Sequence, residues 1–213
     1  MFKNKFFKGG FAVLLLIIAG YFIAENVISS TETVSDNMNP EIYHHNIDDE
    51  RKAKDEEFRT SDDSPIQNKA DFHGLHYFEP DLQYRVMASV TPYKGDDKRL
   101  VINYTDGTET VYEKFAYATF NLHQKSHKVL LLLHDDIISL LFKDDTNGKE
   151  TYGGGRYLDF KINEASGRTM IIDFNKAYNP YCAYVPDYAC PLPPAENKLS
   201  ISIPAGEKYE IEK

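Results

Sequence analysis

From Leu82 onward the chain is a succession of short runs in which apolar residues recur at every second position, separated by turn residues. That period belongs to strands with one buried face, and the absence of long helical interludes excludes a bundle or a repeated βαβ unit. LQYRVMASVT places Tyr84, Val86, Ala88 and Val90 on one face. RLVINYT and TETVYEKF are joined around Asp106-Gly107, a hairpin signal because glycine accepts positive φ. FAYATFNL, KVLLLLHD and IISLLFKD follow, then a turn at Asp145–Gly148, RYLDFKIN, a Ser166-Gly167 turn, TMIIDF, KLSISI and KYEIE. VLLLLH lacks alternation and reads as a central strand covered on both faces. The expectation is a mainly β protein: a single antiparallel domain over residues 61–213, closed as a β-barrel or folded as a sandwich.

The first residues set the expected compartment. Lys3, Lys5 and Lys8 precede an uncharged, mostly apolar run from Gly9 to Ala24. Basic flanks stay cytoplasmic, so the rest of the chain is expected outside. Residues 1–8 form a basic stub and 9–28 read as a transmembrane helix, an uncleaved signal anchor giving a single-pass protein whose partner is the membrane. The alternative is a secreted or periplasmic protein after signal cleavage, although Phe22, two positions before Ala24, makes a poor cleavage site. Residues 29–45 read as a polar linker. Residues 46–60 read as a short surface helix with acid-first pairs Asp48/Lys52, Glu50/Lys54 and Asp55/Arg59 on a solvated face. With 24 Lys+Arg against 33 Asp+Glu the formal charge is −9, which excludes a general nucleic-acid binder.

Residues 150–207 differ from the rest, concentrating Gly, Pro, Tyr and Asn on irregular chain between strand-like runs. ETYGGGRYLD (150–159), DFNKAYNPYCAY (173–184), CPLPPAENKL (190–199) and IPAGEK (203–208) resemble the uncharacterised bacterial domain-of-unknown-function family 1684. Weaker likenesses in DSPI, FHGLHYFEPDLQYRV and LLFKDDTNGKE extend the resemblance to roughly residues 50–208. It implies one β-rich domain and no particular reaction.

The chemistry-bearing residues each carry two readings. Gly153-Gly154-Gly155-Arg156 can present backbone N–H groups and a bidentate cation to an anion, or make a glycine bend where two backbones approach. Asp173 follows an apolar run, and a buried carboxylate needs a cation, for which Arg156 is the natural partner. Arg156, Asp159, Asp173 and Asn175 are thus either structural or the polar centre of a ligand pocket with Tyr178 and Asn179 on its rim. Cys182 and Cys190, with seven residues between them, read as a disulfide in an exported domain. A metal site lacks two further ligands of suitable spacing, and a cysteine nucleophile lacks a placed activating group. His76 is the histidine to watch as an acid or base. Glu196 and Asn197 read as turn residues. No metal and no cofactor are expected. Two functions stay open: an extracytoplasmic binding or structural module of the cell envelope, taking a small or polymeric ligand, and a hydrolase centred on Arg156, Asp159, Asp173 and Asn175.

Overall fold

A computed structural model describes residues 38–66 and 68–209. A long helix, α1 (Pro40–Thr60), precedes seven strands: β1 (Arg85–Pro92), β2 (Arg99–Asn103), β3 (Glu109–Leu122), β4 (Lys125–His134), β5 (Ile137–Phe142), β6 (Arg156–Lys161) and β7 (Thr169–Asp173). One-turn α2 (Ile162–Ala165) connects β6 to β7. All strand pairs are antiparallel, in the order β6-β5-β4-β3-β1-β7, with β2 on β3 beside β1.

The sheet is neither a closed barrel nor a sandwich, and the expectation of either is corrected here. Strands β6 and β7 are its two outer members, and they do not pair with each other, so the curled sheet stays open as a half-barrel. The transmembrane helix expected at 9–28 lies outside the described residues. Among the described residues no helix is long and apolar enough to cross a membrane.

The runs FAYATFNL and TETVYEKF form one strand, β3, bent by a register shift between Lys114 and Ala116. Such a bulge raises local twist and helps the sheet curl. Two-residue turns at His123-Gln124 and Asp135-Asp136, all at positive φ, close the β3–β4 and β4–β5 hairpins. Strand β4 is central. Val129 and Leu131 join the main core, which includes Phe120, Phe142, Ile172 and Phe174. Leu130 and Leu132 join a second cluster on the other face with Tyr112, Leu141 and Tyr157.

Strands β4 and β5 pair only near their shared turn, from Leu132 to His134. Beyond it Asn197 fills the gap. Its side chain accepts from Leu130 N at 2.7 Å and donates to Leu130 O at 2.9 Å and Leu141 O at 2.8 Å. Asn197 ends the one-turn 3-10 helix Ala195–Asn197, a turn as expected, and its side chain is in addition a buried plug between splayed strands. The run KLSISI forms no ladder; Leu199, Ile201 and Ile203 are buried as an extended cap on the main core.

Helix α1 starts six residues before the expected position. Asn39 caps it by accepting from Glu41 N at 2.9 Å, and Pro40 occupies its first turn. Its inner stripe, Tyr43, Ile47 and Phe58, is buried. The members of the expected pairs take other partners: within the helix Lys52 takes Asp49 at 3.5 Å and Arg59 takes Glu56 at 3.1 Å, whereas beyond it Glu50 takes Lys176 at 2.7 Å, Lys54 takes Glu207, and Asp55 accepts from Leu75 N at 3.0 Å. The helix is nonetheless a surface element: outside this stripe most of its residues are exposed.

Candidate functional site

Arg156 opens β6 with its side chain fully buried. Nη2 donates to Asp144 Oδ2 at 2.6 Å and to Ile203 O at 2.9 Å, and Nη1 donates to Ala205 O. Asp144 also accepts from Thr146 N at 2.7 Å. Burial pulls the guanidinium below its ordinary pKa, and the adjacent Asp144 charge opposes that shift. The expected Arg156–Asp173 pair is not formed, because β6 and β7 lie on opposite edges of the sheet. The glycines before Arg156 form a bend. Gly155 has φ +107°, and a Cβ there would lie 2.7 Å from Phe142 O, a close approach of two backbones.

Asp173 ends β7 opposite Arg85 of β1. Its carboxylate accepts from Tyr43 Oη at 2.9 and 3.0 Å and from Asn175 N at 3.1 Å, with Arg85 Nε at 3.7 Å. Burial first, and then the Asp173 charge, pushes the Tyr43 phenol well above its ordinary pKa. Asn175 clasps the backbone of Asp81, accepting from its N–H at 2.9 Å and donating to its carbonyl at 2.8 Å. Asn179 N donates to Glu207 Oε2 at 2.7 Å and its side chain to Lys208 O at 3.0 Å. Asn175 and Asn179 are buried, and both brace the chain.

Asp159 is exposed on β6, accepting from Ser139 Oγ and Tyr178 Oη. Burial, then the Asp159 charge, holds the Tyr178 phenol well above its ordinary pKa. Lys54 Nζ lies 4.8 Å from the centre of the Tyr178 ring and pairs with Glu207. Glu207, almost fully buried, also accepts from Tyr184 Oη at 2.7 Å. Neither Lys54 nor Glu207 stands out in the sequence, where Lys54 looks like one more charge on a polar helix.

Two clefts run along α1. One, about 790 Å³, occupies the mouth of the half-barrel between α1 and the edge strands. Its walls include Tyr43 and Ile47 of α1, Arg85, Leu158 and Phe160, Met170 and Asp173, and Lys176. The other, about 820 Å³, is lined by Lys54, Glu57, Phe58, Tyr157, Tyr181, Tyr188 and Cys190. Glu50, Asp159 and Tyr178 line both, so the clefts adjoin along α1, and the pair is called the trough below. Of the six residues expected at a ligand pocket, Asp159, Asp173 and Tyr178 reach this trough. Arg156, Asn175 and Asn179 are absent from its lining.

Cys182 and Cys190 are free thiols, so the expected disulfide is corrected. They are nonetheless neighbours: Cys182 N donates to Cys190 Sγ at 3.1 Å. His76 is outside the lining of both clefts. Among the described residues no cluster of three or more His, Cys, Asp or Glu is placed to hold a metal ion.

Fold and trough together define a half-barrel β domain with a helix-roofed cleft. Residues 70–208 match the family described as "Protein of unknown function (DUF1684)", and the chain belongs to that family. The solution NMR structure of an uncharacterized protein from Haloarcula marismortui is similar, with a TM-score of 0.63 and 33% sequence identity, over 81% of this chain and 97% of that one. No curated protein matches the chain.

Proposed function

We propose that this domain is an extracytoplasmic binding module whose ligand lies in the trough between α1 and the open edges of the sheet. The gathering of Asp159, Asp173 and Arg85 with a row of aromatic rings on two adjoining clefts carries this reading. Its size suits a small molecule or a short segment of a polymer. Tyr181 and Tyr188 expose ring surface at one end, and Asp159 offers a carboxylate beside them. Rings for stacking and carboxylates for hydroxyl groups are the chemistry that holds a saccharide. The basic, apolar leader before Glu25 supports placement outside the cytoplasm.

The hydrolase reading needed Arg156, Asp159, Asp173 and Asn175 in one polar centre. Arg156 and Asn175 are instead committed to backbone carbonyls and buried partners, and that reading loses its machinery.

The test is calorimetric titration of the full-length protein with a panel of neutral, acidic and amino sugars. Binding of one class is expected, weakened at least tenfold by Asp159→Asn and by Tyr181→Ala. A panel without any binder, or a binder indifferent to both substitutions, would overturn the proposal.

A further inference from the structure

The thiols are the reactive groups that the trough leaves unused. Cys182 lies in a one-turn 3-10 helix, Tyr181–Ala183, and Cys190 is reached by a loop whose residues 186–189 are exposed. The loop returns so closely that Cys182 N–H donates to Cys190 Sγ. Tyr152 Oη is a further donor to Cys182 Sγ, at 3.7 Å. Cys190 N–H is held by Thr105 Oγ1 at 3.1 Å, which fixes the returning strand of the loop. Each sulfur therefore accepts a hydrogen bond, Cys190 Sγ from backbone and Cys182 Sγ from a phenol.

We propose that Cys182 and Cys190 form a redox-active dithiol that exchanges with low-molecular-weight disulfides, Cys182 attacking and Cys190 resolving. In the first step the Cys182 thiolate attacks one sulfur of the disulfide RS–SR. A Cys182–S–SR bond forms, and RS⁻ leaves with the electron pair of the broken S–S bond. In the second step Cys190 gives up its proton to solvent and attacks the Cys182 sulfur. The Cys182–Cys190 bridge forms and a second RS⁻ leaves. The protein loses two electrons, and the small disulfide gains them.

The geometry suits both steps. Donation from Cys190 and Tyr152 brings the Cys182 thiol down to about 6 against the opposing effect of burial, whereas Cys190 is pushed up. The titratable groups around the pair are Tyr152, Tyr157 and the two thiols themselves. An attacking thiol with a pKa near ambient pH is the efficient one. Because the Cys182 N–H already reaches Cys190 Sγ at 3.1 Å, the resolving step requires no large backbone movement. Cys190 lines the aromatic half of the trough, and Tyr181 and Tyr188 flank the cysteines with their rings 5.5 Å apart. The redox state is thereby coupled to one wall of the trough. The proposal does not depend on which ligand, if any, the trough holds.

The test equilibrates the full-length protein in glutathione buffers from fully reducing to fully oxidising, blocks free thiols, and weighs the products. A reversible loss of two hydrogens with a midpoint inside that range is expected. In Cys190→Ser, a glutathione adduct should accumulate on Cys182 at least tenfold faster than on Cys190 in Cys182→Ser. Thiols that stay free at the oxidising limit would overturn the proposal, as would a bridge that survives the reducing limit. Equal trapping on the two single variants would overturn the assignment of Cys182 as the attacking sulfur. The wild-type titration stands by itself should either variant fail to fold.

Discussion

Among the described residues, two arginine–aspartate pairs look equivalent in composition and differ in burial, distance and surroundings. Arg156 and Asp144 have no exposed side-chain surface, meet at 2.6 Å, and are surrounded by backbone carbonyls. Arg85 and Asp173 keep 18% and 9% of their side-chain surface exposed, approach only to 3.7 Å, and face a cleft. A sealed pair whose hydrogen bonds are used up can only hold chain together. A loose pair at the mouth of a half-barrel retains donors for something else. The difference shows that burial of a charge by itself is weak evidence of function, and that unspent hydrogen-bonding capacity beside open space is the better guide.

The sharpest way to break this comparison is to remove one member of each pair. Arg156→Met strands Asp144 and the carbonyls of Ile203 and Ala205, and should cost about 3–5 kcal/mol in denaturant melts. An equal loss for Arg85→Gln would abolish the distinction. Alkaline pH probes the sealed interior in another way. Tyr157, Tyr178 and Tyr184 are held above their ordinary pKa of 10.0, chiefly by burial. With raised folded-state values, their contribution is intact below pH 10 and is lost as the pH climbs beyond it. Loss of ellipticity should therefore accompany the phenolate absorbance rise above pH 10. Lys54→Met leaves Glu207 without its cation and should cost about 2 kcal/mol. Faster amide exchange concentrated in α1 would mark the site of that loss. Arg85→Gln should change stability by less than about 1 kcal/mol, since Tyr43 and Asn175 still serve Asp173. Ligand affinity should nevertheless fall at least tenfold, which separates a binding role from a structural one.

The strands were legible because each writes its period locally. Strand β4 announced its central place through an unbroken apolar run, and the β2–β3 turn through Asp106-Gly107. Closure of the sheet was not legible. Which strands end as edges depends on pairings far apart in the chain, and these also decide that Arg156 meets Asp144 instead of Asp173. KLSISI shows how far a local pattern reaches. Its burial alternates as expected for a strand, yet the backbone joins no ladder, because alternation reports a covered face and says nothing of a neighbouring strand. The start of α1 was written in Asn39-Pro40, a cap followed by a first-turn proline. The site was half legible. Asp159, Asp173 and Tyr178 could be singled out by their setting in an irregular, glycine- and tyrosine-rich block. Arg85 sat inside a regular strand pattern, and the Lys54–Glu207 pair spans 153 positions, beyond any local signal.

That long-range pair has a consequence for how the domain is made. Helix α1 leaves the ribosome well ahead of the carboxylate that anchors it, since Lys54 and Glu207 are 153 positions apart. At about 5–20 residues per second, roughly 8–30 seconds separate the two. Throughout that interval Tyr43, Ile47 and Phe58 have no finished seat. A nascent chain stalled before Glu207 would present a sticky stripe to whatever escorts it, and the helix is fastened only once Glu207 has emerged.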